Sequence, residues 1–293
     1  MPSAKLPVFS VKHFKKTAAP SPDFYIKTFQ EHKAEHPFIM KPHRHDFYMV
    51  MLFTKGKGKH TIDLMTYDVS PGSVFFMSPG EMHSWELSND CDGFVIMFNT
   101  SFFVMTARNR NINEFPFFSL DQKMHYHLLK KVELSEFSAL LKAIYGESKT
   151  SASLQTAILR AYLEILLLKL TTVLYPGKKA IGKASAGLIS RLEALVELNY
   201  KNRLPVSFYA EALAISAVQL NILANNYLNL SVAELISGRL LLEAKRLLVY
   251  TNLTINEISN ELNFSDNSYF TKFFKKAIGQ TPEQFRKLFT IDT

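Results

Sequence analysis

The stretch that most restricts the fold runs from Thr254 to Arg286, because it packs helix starts and helix stops into quick succession. Thr254-Ile255-Asn256-Glu257 has the pattern of a capping box, in which hydroxyl and carboxylate take up first-turn amides, and Ile255, Ile258 and Leu262 follow at helical spacing. Asn263 suits a tight turn, since asparagine tolerates left-handed dihedrals. Ser265 is positioned to cap a second helix, whose apolar back is Tyr269, Phe270, Phe273, Phe274 and Ala277. Gly279 ends that helix in the left-handed region, and Thr281-Pro282-Glu283-Gln284 starts another with proline at its first position. Helix, tight turn and helix make a helix-turn-helix.

The front of the second helix carries Asp266, Asn267, Ser268, Thr271, Lys272, Lys275 and Lys276. Such a face suits a DNA major groove: amides and hydroxyls read base edges, and lysines neutralise phosphates. The same residues would also serve a helix that only meets water, and the preceding helix and turn decide for DNA.

The segment ELNFSDNSYFTKFFKKAIGQTPEQFR resembles the second helix-turn-helix of AraC/XylS-type transcription regulators. That resemblance implies an upstream helix-turn-helix joined to the first by a long helix. The chain supplies both. Ala210, Leu213 and Ile215 give one apolar side, Ser216-Ala217-Val218-Gln219 is a capping box, and Leu220, Leu223, Ala224 and Tyr227 follow. Asn229 stands where the later unit has Gly279, and Ser231-Val232-Ala233-Glu234 caps a helix to about Tyr250 that contains GRLLLEAKRLL, similar to the family's linker helix. The resemblance implies DNA contacts from Ser216, Gln219, Asn221 and Asn225 upstream, and from Ser265, Asp266, Asn267, Ser268, Thr271, Lys272, Lys275 and Lys276 downstream. The upstream helix departs from the pattern. SAVQLNILANNYLN has no Lys or Arg, whereas such regulators usually place Arg where Ile222 stands, an aromatic near Ala224 and a base near Asn225. Counterion release is therefore missing from that helix. The formal net charge is +8, yet from Leu188 onward 11 Lys plus Arg face 10 acids, so DNA affinity must come from local placement of cations.

The first half reads differently. Residues before Pro42 show little periodicity, and then FYMVMLF, KHTIDLM, SVFFM and GFVIMF follow as short strands bounded by turn residues. This pattern predicts a small all-β barrel or jelly roll. HRHDFYMVMLFTKGKG and PGSVFFMSPGEMHSW are similar to the two cupin motifs. His43 and His45 share strand parity, and His83 approaches from elsewhere, so the three rings converge. With Trp85 they form a candidate ligand pocket. Three histidines also suit a transition metal, but the acid that cupins place after the second histidine is Met49 here. Hydrogen bonding at the barrel mouth is the third use, and the sequence leaves the three open; no metal and no cofactor are assigned. His125 and His127 are expected at the surface. A metal-dependent cupin enzyme with a helical appendage is the alternative to a regulator. No Ser/His/Asp set, Gly-rich phosphate loop or paired cysteines suggests another chemistry.

From Glu133 the chain becomes helical, and SLQTAILRAYLEILLLKLTTVLY is apolar on more than one side. The expectation is an α+β chain in two domains. Residues 1–175 form a cupin-like β-barrel with dimerisation helices, 176–187 a flexible linker, and 188–293 an all-α double helix-turn-helix. Expected partners are double-stranded DNA, a small-molecule effector, a second copy through residues 151–175, and RNA polymerase, with no membrane. The run LEILLLKL is short and broken by Lys169, the amino terminus lacks an apolar signal region, and Cys91 is the single cysteine, all of which fit a reducing cytoplasm.

Overall fold

The computed structural model describes residues 7–14, 21–36, 41–104, 112–119, 124–176 and 183–289. Two compact units divide the chain, Pro7–Ala180 and one that takes in Ile181–Thr293.

The first unit contains β1 (Val8–Phe9), β2 (Phe24–Thr28), α1 (Phe29–Glu35), β3 (His43–His45), β4 (Tyr48–Lys55), β5 (Gly58–Ile62), β6 (Met65–Val69), β7 (Ser73–Met77), β8 (Met82–Leu87), β9 (Asp92–Phe98), α2 (Thr100–Val104), β10 (Tyr126–Leu128), α3 (Lys131–Ser148) and α4 (Gln155–Leu174). Its strands form two five-stranded sheets, ordered β1-β3-β8-β5-β6 and β10-β7-β4-β9-β2. Two expectations are corrected here. KHTIDLM is not one strand: Asp63 takes a φ of 51°, and the chain turns from β5 into β6 between Ile62 and its partner Met65. The region before Pro42 holds β1, β2 and α1, the last started by a Thr28–Glu31 capping box.

The second sheet explains why its strands are apolar at every position. Tyr25, Met49, Met51, Phe53, Phe75, Met77, Val95 and Met97 point into the barrel. Their neighbours Phe24, Ile26, Val50, Leu52, Val74, Phe76, Phe94, Ile96 and Phe98 pack with residues of α2, α3 and α4 on the other face. Alternation between faces is present, but both faces are dry, so it leaves no polar mark in the sequence.

The second unit is all helical: α5 (Lys183–Asn199), α6 (Val206–Ala212), α7 (Ala217–Leu228), α8 (Val232–Tyr250), α9 (Ile255–Glu261), α10 (Asn267–Ile278) and α11 (Pro282–Phe289). Residues 177–182 of the expected linker lie outside the described residues, while α5 already starts at Lys183, five positions before the expected Leu188. Ala184, Ser185 and Ala186 offer no obstacle to a helix.

Helix α8 is the hub, packed against α5, α7, α9 and α11. Its polar side is tied by charge. Arg239 forks onto Glu197 of α5 at 2.6 and 2.8 Å, reaches Glu243 at 3.3 Å, and lies 4.1 Å over the Tyr200 ring. Glu243 in turn meets Arg246 at 3.5 Å. Arg239, Glu243 and Arg246 are all buried; desolvation is the largest single effect on Arg239, but the Glu197 hydrogen bond and the charges of Glu197 and Glu243 together outweigh it and hold the guanidinium firmly cationic. No single helix among the described residues is long and apolar enough to cross a membrane.

Candidate nucleic-acid interface and effector site

Both helix-turn-helix units are built by local chemistry. The capping boxes at Ser216, Ser231 and Thr254 form as the sequence implies, and Thr281 and Gln284 exchange the same reciprocal bonds. Asn229, Asn263 and Gly279 take left-handed dihedrals. Helices α6 and α7 meet at a bend of 92°, through Ala214, a non-glycine residue with φ of 57°. One cap is corrected. The N-cap of α10 is Asp266, whose carboxylate accepts from the Tyr269 amide at 2.7 Å, while Ser265 bonds only Asp266, at 3.3 Å. Serine and aspartate are equally good caps, and it is Asp266 that adopts the extended dihedrals a cap requires.

The inner side of α10 is narrower than its aromatic content suggests. Phe270 and Phe274 are buried, Tyr269 is half exposed and Ala277 is exposed. Arg203, which sequence reasoning overlooked, lies 4.6 Å over Phe264 and 5.2 Å over Tyr269, and donates to the Asn263 carbonyl. Only its place in space marks it. On the outer side, Ser268, Lys272 and Lys275 form one exposed stripe, with Asn267, Thr271 and Lys276 beside it. Two hydroxyls, an amide and three ammonium groups on one short helix can donate to phosphates and base edges together. Arg286, by contrast, is spent on the Leu248 and Leu253 carbonyls and holds α11 to the α8–α9 connection.

Helix α7 sits fifty positions before α10, so their caps and faces correspond: Ser216 to Asp266, Val218 to Ser268, Ile222 to Lys272, Asn225 to Lys275, Asn229 to Gly279. Ser216 and Gln219 bond each other's backbone within the cap. The Asn221 amide donates to the Ala217 carbonyl and accepts from the Val232 amide at 3.1 Å. These bonds use one of its two N–H groups and one of its two lone pairs. Val218, Ile222 and Asn225 are exposed.

In the barrel, the three expected histidines meet. His43 and His83 face each other across β3 and β8, with their Nε2 atoms 2.9 Å apart, and the His45 ring is 5.1 Å from that of His83. Trp85 packs edge-on against His83 at 4.9 Å. His60, which no motif marks, joins them from β5, its Nε2 lying 3.0 Å from His83 Nδ1. His32 on α1 completes the inner wall, bonded to the Tyr25 hydroxyl at 2.8 Å. Among the described residues no group of three His, Cys, Asp or Glu has the geometry of a metal site. His125 is also corrected: rather than a surface residue, it bonds the fully buried Glu81 at 2.9 Å.

Burial keeps these imidazoles neutral. It drives His45 down to about 3 and His32, His60 and His83 well below the ordinary range, with His43 lowered as well. Neutrality fixes the protons. A backbone carbonyl accepts from His43 Nδ1, so that nitrogen carries the hydrogen and Nε2 is an acceptor. His83 must then donate from Nε2 and accept at Nδ1, His60 must donate from Nε2, and His60 Nδ1 is left a lone-pair acceptor. By the same logic, His45 donates from Nδ1 to the Phe47 carbonyl and presents a bare Nε2. His45 Nε2, His60 Nδ1 and the Trp85 Nε1 hydrogen have no hydrogen-bond partner among the described residues.

A barrel with a polar inner wall, followed by a helical unit with two helix-turn-helices, defines a ligand-responsive DNA-binding regulator. Residues 28–167 match the family described as "AraC-like ligand binding domain" and residues 209–288 match "Helix-turn-helix domain". The HTH-type transcriptional activator RhaR of Escherichia coli is 20% identical over 85% of this chain and 88% of its own length. The Msm operon regulatory protein of Streptococcus mutans is 24% identical over 90% of this chain and 93% of its own. Among solved structures, fatty-acid-bound ToxT from Vibrio cholerae aligns over 94% of this chain and 98% of that one, at 14% identity and a TM-score of 0.41. The chain belongs to the AraC-type transcription regulators, DNA-binding proteins that carry an amino-terminal ligand-binding domain.

Proposed function

We propose that the chain is a non-enzymatic, homodimeric regulator that works in the cytoplasm on its operator DNA. Helix α10 is its main reading element, through Ser265, Asn267, Ser268, Thr271, Lys272, Lys275 and Lys276, with Asp266 holding the helix start. Helix α7 contributes Asn221 and Asn225 and, at its cap, Ser216 and Gln219. The observation that carries this reading is the exposed Ser268–Lys272–Lys275 stripe backed by buried Phe270 and Phe274. The two units would address successive major grooves, about 34 Å apart.

The effector is a small molecule held against His43, His45, His83 and Trp85, with His60 added. It meets lone pairs on His45 and His60 and an indole N–H, so a ligand carrying both hydroxyl donors and an acceptor fits the wall. Helix α4 supports the dimer: Ile158 and Ile165 are exposed on one side of it, with exposed Leu154 just before its start, while Leu159, Leu163, Leu166 and Leu170 are buried on another. RNA polymerase is the remaining partner, reached from the DNA-bound helical unit.

The test is binding of the full chain to random duplex DNA over a salt series, followed by selection of bound sequences. A recovered motif, with affinity falling as salt rises, supports the reading. No binding at low salt refutes it and returns attention to barrel chemistry.

A further inference from the structure

The two recognition helices are alike in build and opposite in chemistry. At the positions where α10 shows Ser268, Lys272 and Lys275, α7 shows Val218, 69% exposed, Ile222, 54% exposed, and Asn225. Leu220, Ala224 and Leu228 bury the opposite side, so the stripe cannot turn inward. Large branched side chains held this far into water are not part of the core. Their register with α10 places them where that helix faces DNA.

Within a major groove the one apolar group on a base edge is the thymine C5 methyl. A valine and an isoleucine one turn apart can cover methyls but cannot bond phosphate or guanine. The exposed Asn225 amide matches the N6 and N7 edge of adenine. From this we infer that α7 reads a T·A-rich half-site through the thymine methyls at Val218 and Ile222, and that α10 supplies the phosphate anchoring for both. The inference rests on the DNA-binding reading above and adds the base class that one helix selects. It also gives the missing cations of α7 a positive role: an uncharged face gains nothing from non-operator phosphates, so its whole contribution is discrimination.

The experiment uses the full chain and the duplex recovered by selection. Thymines of the upstream half-site are replaced by deoxyuridine, which removes the methyl and leaves base pairing intact. Affinity is read by fluorescence anisotropy for the wild type and for Ile222→Ala, an exposed substitution that spares the core. The expected loss is about fourfold per contacted methyl for the wild type, close to what burial of one methyl group contributes, and smaller by one such step for Ile222→Ala, in which Val218 alone still covers a methyl. Deoxyuridine in the downstream half-site serves as the control. A wild type indifferent to the replacement, an undiminished loss in Ile222→Ala, or an upstream half-site without thymine overturns the inference while leaving DNA binding by α10 intact. A motif with one half-site only has the same effect and points to a protein surface for α7. Failure to select any duplex removes the DNA-binding reading itself.

Discussion

Acidification should destabilise the barrel and spare the helical unit. The four deepest imidazoles, His32, His45, His60 and His83, stay neutral in the fold because burial penalises their charged forms. In the unfolded chain each titrates near its ordinary value of about 6.5. A folded value depressed below the unfolded one means that the unfolded state binds the extra proton first. Stability is therefore complete above about pH 6.5 and is lost as pH falls below it. Each such group costs about 1.4 kcal/mol between roughly pH 7.5 and 5.5, so four cost about 5.6 kcal/mol, against a typical total of about 5–15. Glu81 opposes the trend at His45 and His60 but does not outweigh desolvation. For a domain of this size the loss corresponds to a drop of about 10–20 °C in melting temperature. The molecule carries its own reporters: Trp85 is the only tryptophan, and none of the nine histidines lies beyond His127. Tryptophan-detected melts at the two pH values follow the barrel, and hydrogen exchange of α8 peptides follows the helical unit. A Trp85 transition that moves by less than about 3 °C would refute the linkage argument, as would equal acceleration of exchange in α8.

Four further outcomes are expected. Lys272→Ala with Lys275→Ala should abolish specific DNA binding without unfolding and flatten the slope of affinity against salt by about two charges; unchanged affinity at low and moderate salt would remove α10 from the interface. Ile222→Arg should tighten binding, steepen that slope by about one charge and reduce thymine preference, as read by salt-series titration. Arg239→Ala should destabilise the helical unit by about 3 kcal/mol in urea unfolding, because buried Glu243 loses a partner and the α5–α8 clamp opens. Ile158→Glu with Ile165→Glu should shift sedimentation from dimer to monomer while the Trp85 melt stays in place; an unchanged sedimentation coefficient would rule out α4 as the dimer surface.

What could be read from the residues alone was mostly what is decided within a few positions. The boxes at Ser216, Ser231, Thr254 and Thr281 and the left-handed Asn229, Asn263 and Gly279 needed no distant partner. Even there, Ser265 and Asp266 are adjacent caps of equal quality, and backbone dihedrals chose between them. Asn221 is legible as a polar residue of α7, but its bond to the Val232 amide depends on how α8 leaves its own cap. In the barrel, His43, His45 and His83 were legible from their motifs, but His60 joins them only through the pairing of β5 with β8. Periodicity failed for KHTIDLM because a left-handed Asp63 reverses the chain inside an apolar run.

The hydrogen-bond chain from the Lys41 carbonyl through His43, His83 and His60 has a direction, and direction is a form of memory. A carbonyl cannot donate, so one peptide group at the barrel edge sets which way every proton along the line points. At the far end, His60 can welcome a hydroxyl but can only repel an ether or carbonyl oxygen. To accept the latter, all three rings would have to exchange tautomers and the carbonyl would lose its donor. With the proposed effector seated there, the barrel would tell a hydroxyl from its methylated counterpart by an instruction written three rings away.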